Sequence, residues 1–160
     1  RDGKFYTNVI GARAQGLIVG AYHYYDPNEN STKQANNYLN TVKLTKGDFI
    51  PIVDLEKLSN CQSTQKLKQG LLNWLKIVEK KYGVKPILYT GYDFCQKNLK
   101  EFEKYPLWIA AYSNKKRKTK IVKNSEIHQF SEKVYIIGIK GPVDGNDIKK
   151  TKLPSLRLKK

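Results

Sequence analysis

The sequence predicts an α/β fold in which a mainly parallel sheet is covered by helices and curls as a barrel does. Three observations carry this. Helical and strand-like segments alternate along most of the 160 residues. The strand-like runs are short and almost continuously apolar, as parallel strands buried on both faces are. Polar and aromatic residues collect where those runs end, which is where parallel α/β folds build their sites. A complete eight-stranded barrel takes roughly 200–250 residues. This chain is shorter and opens on a helical pattern with no strand before it, so the expectation is a barrel that lacks its front.

Phe5, Val9, Ile10 and Ala14 fit a short helix closed by Gly16. Leu17 to Tyr22 reads as a buried strand. Ser31 to Lys43 reads as a helix with Ser31 or Thr32 as its N-cap and Ala35, Tyr38, Leu39 and Val42 on its apolar stripe. Phe49 to Val53 is the next strand. Thr64 to Tyr82 is the clearest helix: Leu67, Leu71, Trp74, Leu75, Val78 and Tyr82 keep helical spacing until Gly83 and Pro86 stop it. Pro86 to Tyr89 is a strand, Asp93 to Phe102 a helix and Leu107 to Ala111 a further strand. After a basic loop, Ile127 to Phe130 and Val134 to Ile139 read as the two strands of an antiparallel hairpin.

Composition excludes several classes. Hydrophobic residues at 39% suffice for a core, and no apolar run reaches the length of a membrane span. Cys61 and Cys95 allow at most one bridge, too few for a disulfide framework or a Cys-rich zinc site. The net charge of +16 suggests a nucleic-acid binder at first sight. Its distribution argues otherwise. Lys115–Lys123 and Lys149–Lys160 each hold six basic residues and no acid, which leaves only +4 for the rest. Such blocks are solvated faces or attract a polyanion, either nucleic acid or an anionic cell wall.

The stretch Ile50-Pro51-Ile52-Val53-Asp54-Leu55-Glu56 carries the chemistry. Side chains alternate along a strand, so Asp54 and Glu56 point to the same side. Two carboxylates that close push their pKa values apart, leaving one protonated acid beside one carboxylate. Glycosidic cleavage needs that division of labour. Taken alone, the pair also fits two exposed acids at the start of a loop. Tyr22-His23-Tyr24-Tyr25, Tyr89-Thr90, Trp108 with Tyr112, and His128-Gln129-Phe130 fall at or near the other strand ends. Aromatic platforms with amide and hydroxyl partners suit a sugar. His23 and His128 read as hydrogen-bonded structural residues, because no third ligand is spaced with them for a metal.

With these segments in view, the chain resembles the glycoside hydrolase family 25 lysozymes, N-acetylmuramidases of the Chalaropsis type. The matching segments are Asp2…Phe5…Asn8, Gly20-Ala21-Tyr22-His23-Tyr24, Gln34-Ala35 and Pro51 to Glu56. They continue with Pro86 to Thr90, Pro106 to Tyr112, His128-Gln129-Phe130 and Gly138 through Val143-Asp144-Gly145-Asn146. The resemblance implies a flattened, irregular TIM-like (β/α) barrel over residues 1–148, incomplete at its N-terminus, followed by a basic tail at 149–160. It implies a hydrolase that cleaves the β-1,4 bond between N-acetylmuramic acid and N-acetylglucosamine in peptidoglycan. Glu56 then corresponds to the general acid, and Asp54 to the residue that orients the 2-acetamido group in substrate-assisted cleavage. Asp144 corresponds to a later acid close to the site. Tyr22, Tyr24, Tyr89, Tyr112 and Gln129 are candidate substrate-binding residues, and no metal or organic cofactor is implied.

The chain departs from the family where His128 stands in place of a frequent Trp, and in starting downstream of the first strand with its active-site Asp. A catalytically incomplete chain that only binds peptidoglycan is therefore the alternative. Anionic wall polymers are a possible second partner. Neither nucleic acid nor membrane is expected, and a monomer acting outside the cell or on the wall, secreted or phage-released, is.

Overall fold

The computed structural model describes residues 2–159; Arg1 and Lys160, at the outer ends of the two expected segments, lie outside them. In chain order the elements are α1 (Phe5–Ala14), β1 (Tyr22–Tyr24), α2 (Ser31–Thr41), β2 (Ile52–Asp54), α3 (Thr64–Tyr82) and β3 (Ile87–Gly91). There follow α4 (Tyr92–Asn98), β4 (Leu107–Ala110), α5 (Asn114–Arg117), α6 (Lys120–Asn124), β5 (Ile127–Val134) and β6 (Val143–Ile148). The strands form one curled six-stranded sheet, a half-barrel, in the order β1-β2-β3-β4-β5-β6. The first five are parallel and β6 returns antiparallel beside β5.

Register decides which side chains share a face. Tyr24 lies beside Asp54, Asp54 beside Tyr89 and Tyr89 beside Trp108, while Ala110 pairs with Gln129 and Gln129 with Asn146. These residues point to the inner side of the curl, and their odd-even neighbours point to the helices. On the helical side Val53, Leu88 and Ile109 pack with Leu71, Trp74, Leu75 and Val78 of α3 in the larger core. On the inner side Ile50, Ile52, Ile87 and Ile127 pack with Leu156 and Leu158. The inner side is thus apolar toward the N-terminal strand ends and polar one layer above. That division leaves a polar layer on an apolar floor.

The floor is completed by the chain's end. Beyond the boundary expected at residue 148, a 3-10 turn over Leu153–Leu156 leads Leu156 and Leu158 into the inner core. Backbone bonds from Ile50 N–H to Leu156 O and from Leu158 N–H to Asp48 O hold it there, each 2.8–2.9 Å. Lys149, Lys150, Arg157 and Lys159 stay exposed while Leu156 and Leu158 are buried.

Several elements differ from expectation. The strand expected over Leu17 to Tyr22 forms at Tyr22–Tyr24, because Leu17 and Ile18 lie exposed on the open edge and find no ladder partner. The strand expected over Phe49 to Val53 is Ile52–Asp54, and Phe49 makes only an isolated bridge to Arg157. Helix α2 is capped by Asn30, whose side chain accepts from Lys33 N–H, and not by Ser31 or Thr32. The helix expected over Asp93 to Phe102 is α4 followed by a separate 3-10 turn at Lys100–Phe102. The basic loop carries α5 and α6. The second hairpin strand is Val143–Ile148, and Tyr135, Ile136, Ile137 and Ile139 form an exposed loop before it. By contrast α3 spans the expected residues, between a Ser63 cap and Gly83 in the left-handed conformation at φ 70°.

Gly145 sets how closely the hairpin closes. A Cβ there would stand 2.6 Å from Phe130 Cζ and from Val134 Cγ2. Gly145→Ala should therefore lower stability by about 1–3 kcal/mol through overpacking. The check is a urea midpoint, and an unchanged value would mean that the hairpin has slack at this point.

Candidate active site

Asp54 ends β2, and Glu56 follows two residues on, with Leu55 fully buried toward the helices between them. Alternation therefore turns both carboxylates inward, as the sequence implies. Their surroundings differ. Asp54 is half-buried and its Oδ1 has no hydrogen-bond partner, whereas Glu56 is exposed. Burial, followed by the nearby charge of Glu56, pushes the Asp54 carboxyl up to about 7. A protonated and an ionised carboxyl can therefore coexist side by side near neutral pH.

Tyr89 stands on β3 next to Asp54. Its hydroxyl donates to Gln129 Oε1 at 2.7 Å, and Gln129 is itself buried on β5. Burial raises the Tyr89 hydroxyl's pKa, and the charges of Glu56, Asp54 and Asp144, with the hydroxyl of Tyr112, push it further. Asp54, Glu56, Asp144 and Tyr112 are thus all close enough to Tyr89 to act on its hydroxyl. Tyr112 is raised in the same way, by burial first and then by Glu132, Asp144 and Glu56. Trp108 lies beside Tyr89 on the neighbouring strand. Its ring meets Tyr89 edge-on at 5.3 Å and its Nε1–H donates to Asn146 Oδ1 at 2.9 Å. Tyr89→Phe should leave the buried Gln129 oxygen without its donor. The expected stability loss is about 1–3 kcal/mol, read from the melting curve, and an unchanged curve would contradict the bond.

Tyr24 lies beside Asp54 in register and is partly covered by Lys57, whose Nζ sits 5.6 Å from the ring centroid. Tyr22 lies one inward position lower and is 66% exposed. Both also line a groove of about 620 Å³ between α1 and the β1 edge. The structure thus groups Asp54, Glu56, Asp144, Tyr89, Tyr112 and Gln129, with Tyr24 alongside and Tyr22 at the margin. The histidines face away. His23 stacks on Trp74 at 5.6 Å and pairs with Gln34 Oε1 at 2.9 Å, and His128 meets the Ala111 carbonyl at 2.9 Å. Both hold the scaffold, as the sequence suggests.

Two neighbours were not among the expected site residues. Glu132 lies close enough to Tyr112 to raise its pKa, and Asn146 accepts from Trp108. Asn146 had a signal, since it is two residues from Asp144 on the same face. Glu132 had none, because register shifts at Ser131 and Val134 break the alternation that would place it. Among the described residues no three His, Cys, Asp or Glu side chains are grouped to hold a metal ion. Cys61 is exposed and Cys95 buried, both as free thiols.

The model of the family described as glycosyl hydrolases family 25 matches residues 1–139. The chain belongs to glycosyl hydrolases family 25. Within the wider comparison, YegX of Escherichia coli O6:H1 is 38% identical over 146 residues, which are 91% of this chain and 53% of that protein. An autolytic lysozyme of Clostridium acetobutylicum is 30% identical over 135 residues, 84% of this chain and 40% of that one. The chain therefore spans about half the length, or less, of the curated relatives it matches. The structure of a family 25 glycosyl hydrolase from Bacillus anthracis superposes with a TM-score of 0.84 at 21% identity. That match covers 98% of this chain and 76% of the other, and it establishes that the two share a fold.

Proposed function

We propose that this family 25 chain is a muramidase, which hydrolyses the β-1,4 bond between N-acetylmuramic acid and N-acetylglucosamine in peptidoglycan. The observation that carries it is the Asp54–Glu56 pair: two carboxyls on one inner face, unequal in burial, framed by Tyr89, Tyr112 and Trp108. The roles follow the correspondence with family 25, and substrate binding has to reverse the protonation of the free pair, in which Asp54 holds its proton to about 7. Glu56, exposed to exchange with water, delivers a proton to the leaving glycosidic oxygen and, ionised, then receives one from the attacking water. The sugar's own acetamido carbonyl attacks the anomeric carbon, and Asp54 receives the acetamido N–H at its unpartnered Oδ1. That contact supplies a hydrogen bond to the charged form of Asp54 and so draws its pKa back down. Asp144 adds negative charge opposite the cationic transition state. Tyr22, Tyr24, Tyr89, Tyr112 and Gln129 supply stacking faces and hydrogen bonds for the sugars.

In the same reading the six-stranded sheet is part of a flattened (β/α) barrel. Residues 1–148 are its catalytic domain and 149–160 a basic segment, whose Leu156 and Leu158 pack beneath the sheet. The protein works as a monomer at the cell wall. The name of the Clostridium acetobutylicum relative, autolytic lysozyme, agrees with that destination. Incubation with insoluble peptidoglycan tests the proposal. Release of soluble reducing ends supports hydrolysis, and co-sedimentation without release would replace it with the binding-only alternative.

A further inference from the structure

We propose that the two basic segments, distant in sequence, form one cationic ribbon that binds a linear phosphodiester polymer of the cell wall. Topology lays the ribbon out. Strands β4 and β5 are parallel neighbours, so the chain between them must travel from the C-terminal strand ends back to the N-terminal ends. That crossover is the first basic block. At its start Lys116 pairs with Asp93, the second residue of α4, which anchors α5 near the rim of the active site. Arg117 donates to the Phe130 carbonyl at 2.5 Å and stacks on the Phe130 ring at 5.7 Å, and so is used structurally. Lys115, Lys118, Lys120 and Lys123 are exposed along the descent.

The second block meets the first at the bottom. Lys149, immediately after β6, donates from Nζ to the Lys123 carbonyl at 2.7 Å. Lys152 bonds Glu126 at 3.1 Å and neutralises the acid nearest the junction. Lys150 remains exposed beside them. Five cations with no acidic partner recorded among the described residues (Lys115, Lys118, Lys120, Lys123 and Lys150) thus follow one flank from the site rim to the opposite end. Asp147 is a further acid in this region, opposite His128 in the β5–β6 ladder.

Like charges held on one line gain most from a flexible polyanion that runs along it and releases its counterions. No exposed aromatic side chain interrupts the cations between Lys115 and Lys123 or between Lys149 and Lys159. The ribbon therefore offers no stacking platform for bases, which single-stranded nucleic-acid grooves use. A polymer read by backbone phosphate alone fits better. Because the ribbon ends at the site rim, such a polymer would tether the protein where its substrate is. The choice of a wall polymer rests on the muramidase reading; the binding surface does not.

The test uses soluble poly(glycerol phosphate) labelled for fluorescence anisotropy, with duplex DNA of matched phosphate number as the comparison. The variant Lys118→Gln, Lys120→Gln, Lys123→Gln, Lys150→Gln should bind the polymer at least about tenfold more weakly at low salt. Its slope of log affinity against log salt should be shallower by roughly 0.7–0.9 for each cation lost. A control with the same change in charge, Lys66→Gln, Lys76→Gln, Lys80→Gln, Lys81→Gln on α3, should stay close to the parent. Melting curves confirm folding, and the double variant Lys118→Gln, Lys150→Gln should lose about half the slope change. Equal losses in ribbon and control variants, or no binding by the parent at low salt, would overturn the proposal. Tighter binding of DNA than of the polymer would overturn the wall assignment in favour of nucleic acid. No peptidoglycan is present in this assay, so its failure and a failure of the reducing-end assay are read separately.

Discussion

Glu56→Gln should reduce the rate of peptidoglycan hydrolysis by about 10²–10⁴-fold, the usual contribution of a positioned general acid. Glutamine keeps the shape of the side chain and can still hydrogen-bond, but it has no proton to give to the leaving oxygen. Glu56 is exposed at the end of β2, so the exchange removes no buried contact and the fold should be unaffected. The loss should fall on turnover, with sedimentation on insoluble peptidoglycan kept. Rates of reducing-end release at saturating substrate provide the measurement. A variant with the parent's turnover would remove Glu56 from the chemistry and leave Asp54 as the acid.

Asp54→Asn should act on activity and stability in opposite directions. Activity should fall severely, because the neutral amide cannot supply the charge that holds the acetamido N–H as the transition state forms. Stability should rise at alkaline pH. In the folded chain Asp54 keeps its proton up to about pH 7, while in the unfolded chain it loses it near the ordinary value of 3.8. Between those values the folded state holds more protons, so the parent loses stability as pH rises through this window. Asparagine is neutral throughout and escapes the loss. The expected gain at pH 8 is about 1–2 kcal/mol, allowing for the solvent around a half-exposed group, and at pH 3.5 it should vanish. Melting temperatures of parent and variant at the two pH values decide it. A gain of equal size at both would show that desolvation of the charge is not its cause.

How much of this could be read from the sequence depends on how much of each element's reason is local. Helix α3 was legible because its buried residues, its Ser63 cap and the Gly83 stop all lie within its own span. The inward pairing of Asp54 with Glu56 followed from strand alternation alone. Strand β6 was missed for the opposite reason. Its sequence, Val143 to Ile148, is mostly polar because its inward residue Asn146 serves the site layer and its other side lies on the sheet edge. The apolar run before it, Tyr135 to Ile139, looked like a strand and is an exposed loop, with Ile137 wholly uncovered. Hydrophobicity marks burial, and neither segment obeys that rule. The burial of Leu156 and Leu158 was hidden as well, because three leucines among six basic residues show no period, and only the inner floor of the sheet explains the two that are buried.

The identity of the sugar at the newly formed reducing end tests the central claim most directly. Peptidoglycan digested with the protein, reduced with borohydride and separated for mass spectrometry should yield fragments ending in reduced N-acetylmuramic acid. The same digest with Glu56→Gln should yield almost none. Fragments ending in reduced N-acetylglucosamine would contradict the muramidase assignment, and new free amines without new reducing ends would show that the bond cleaved is not glycosidic.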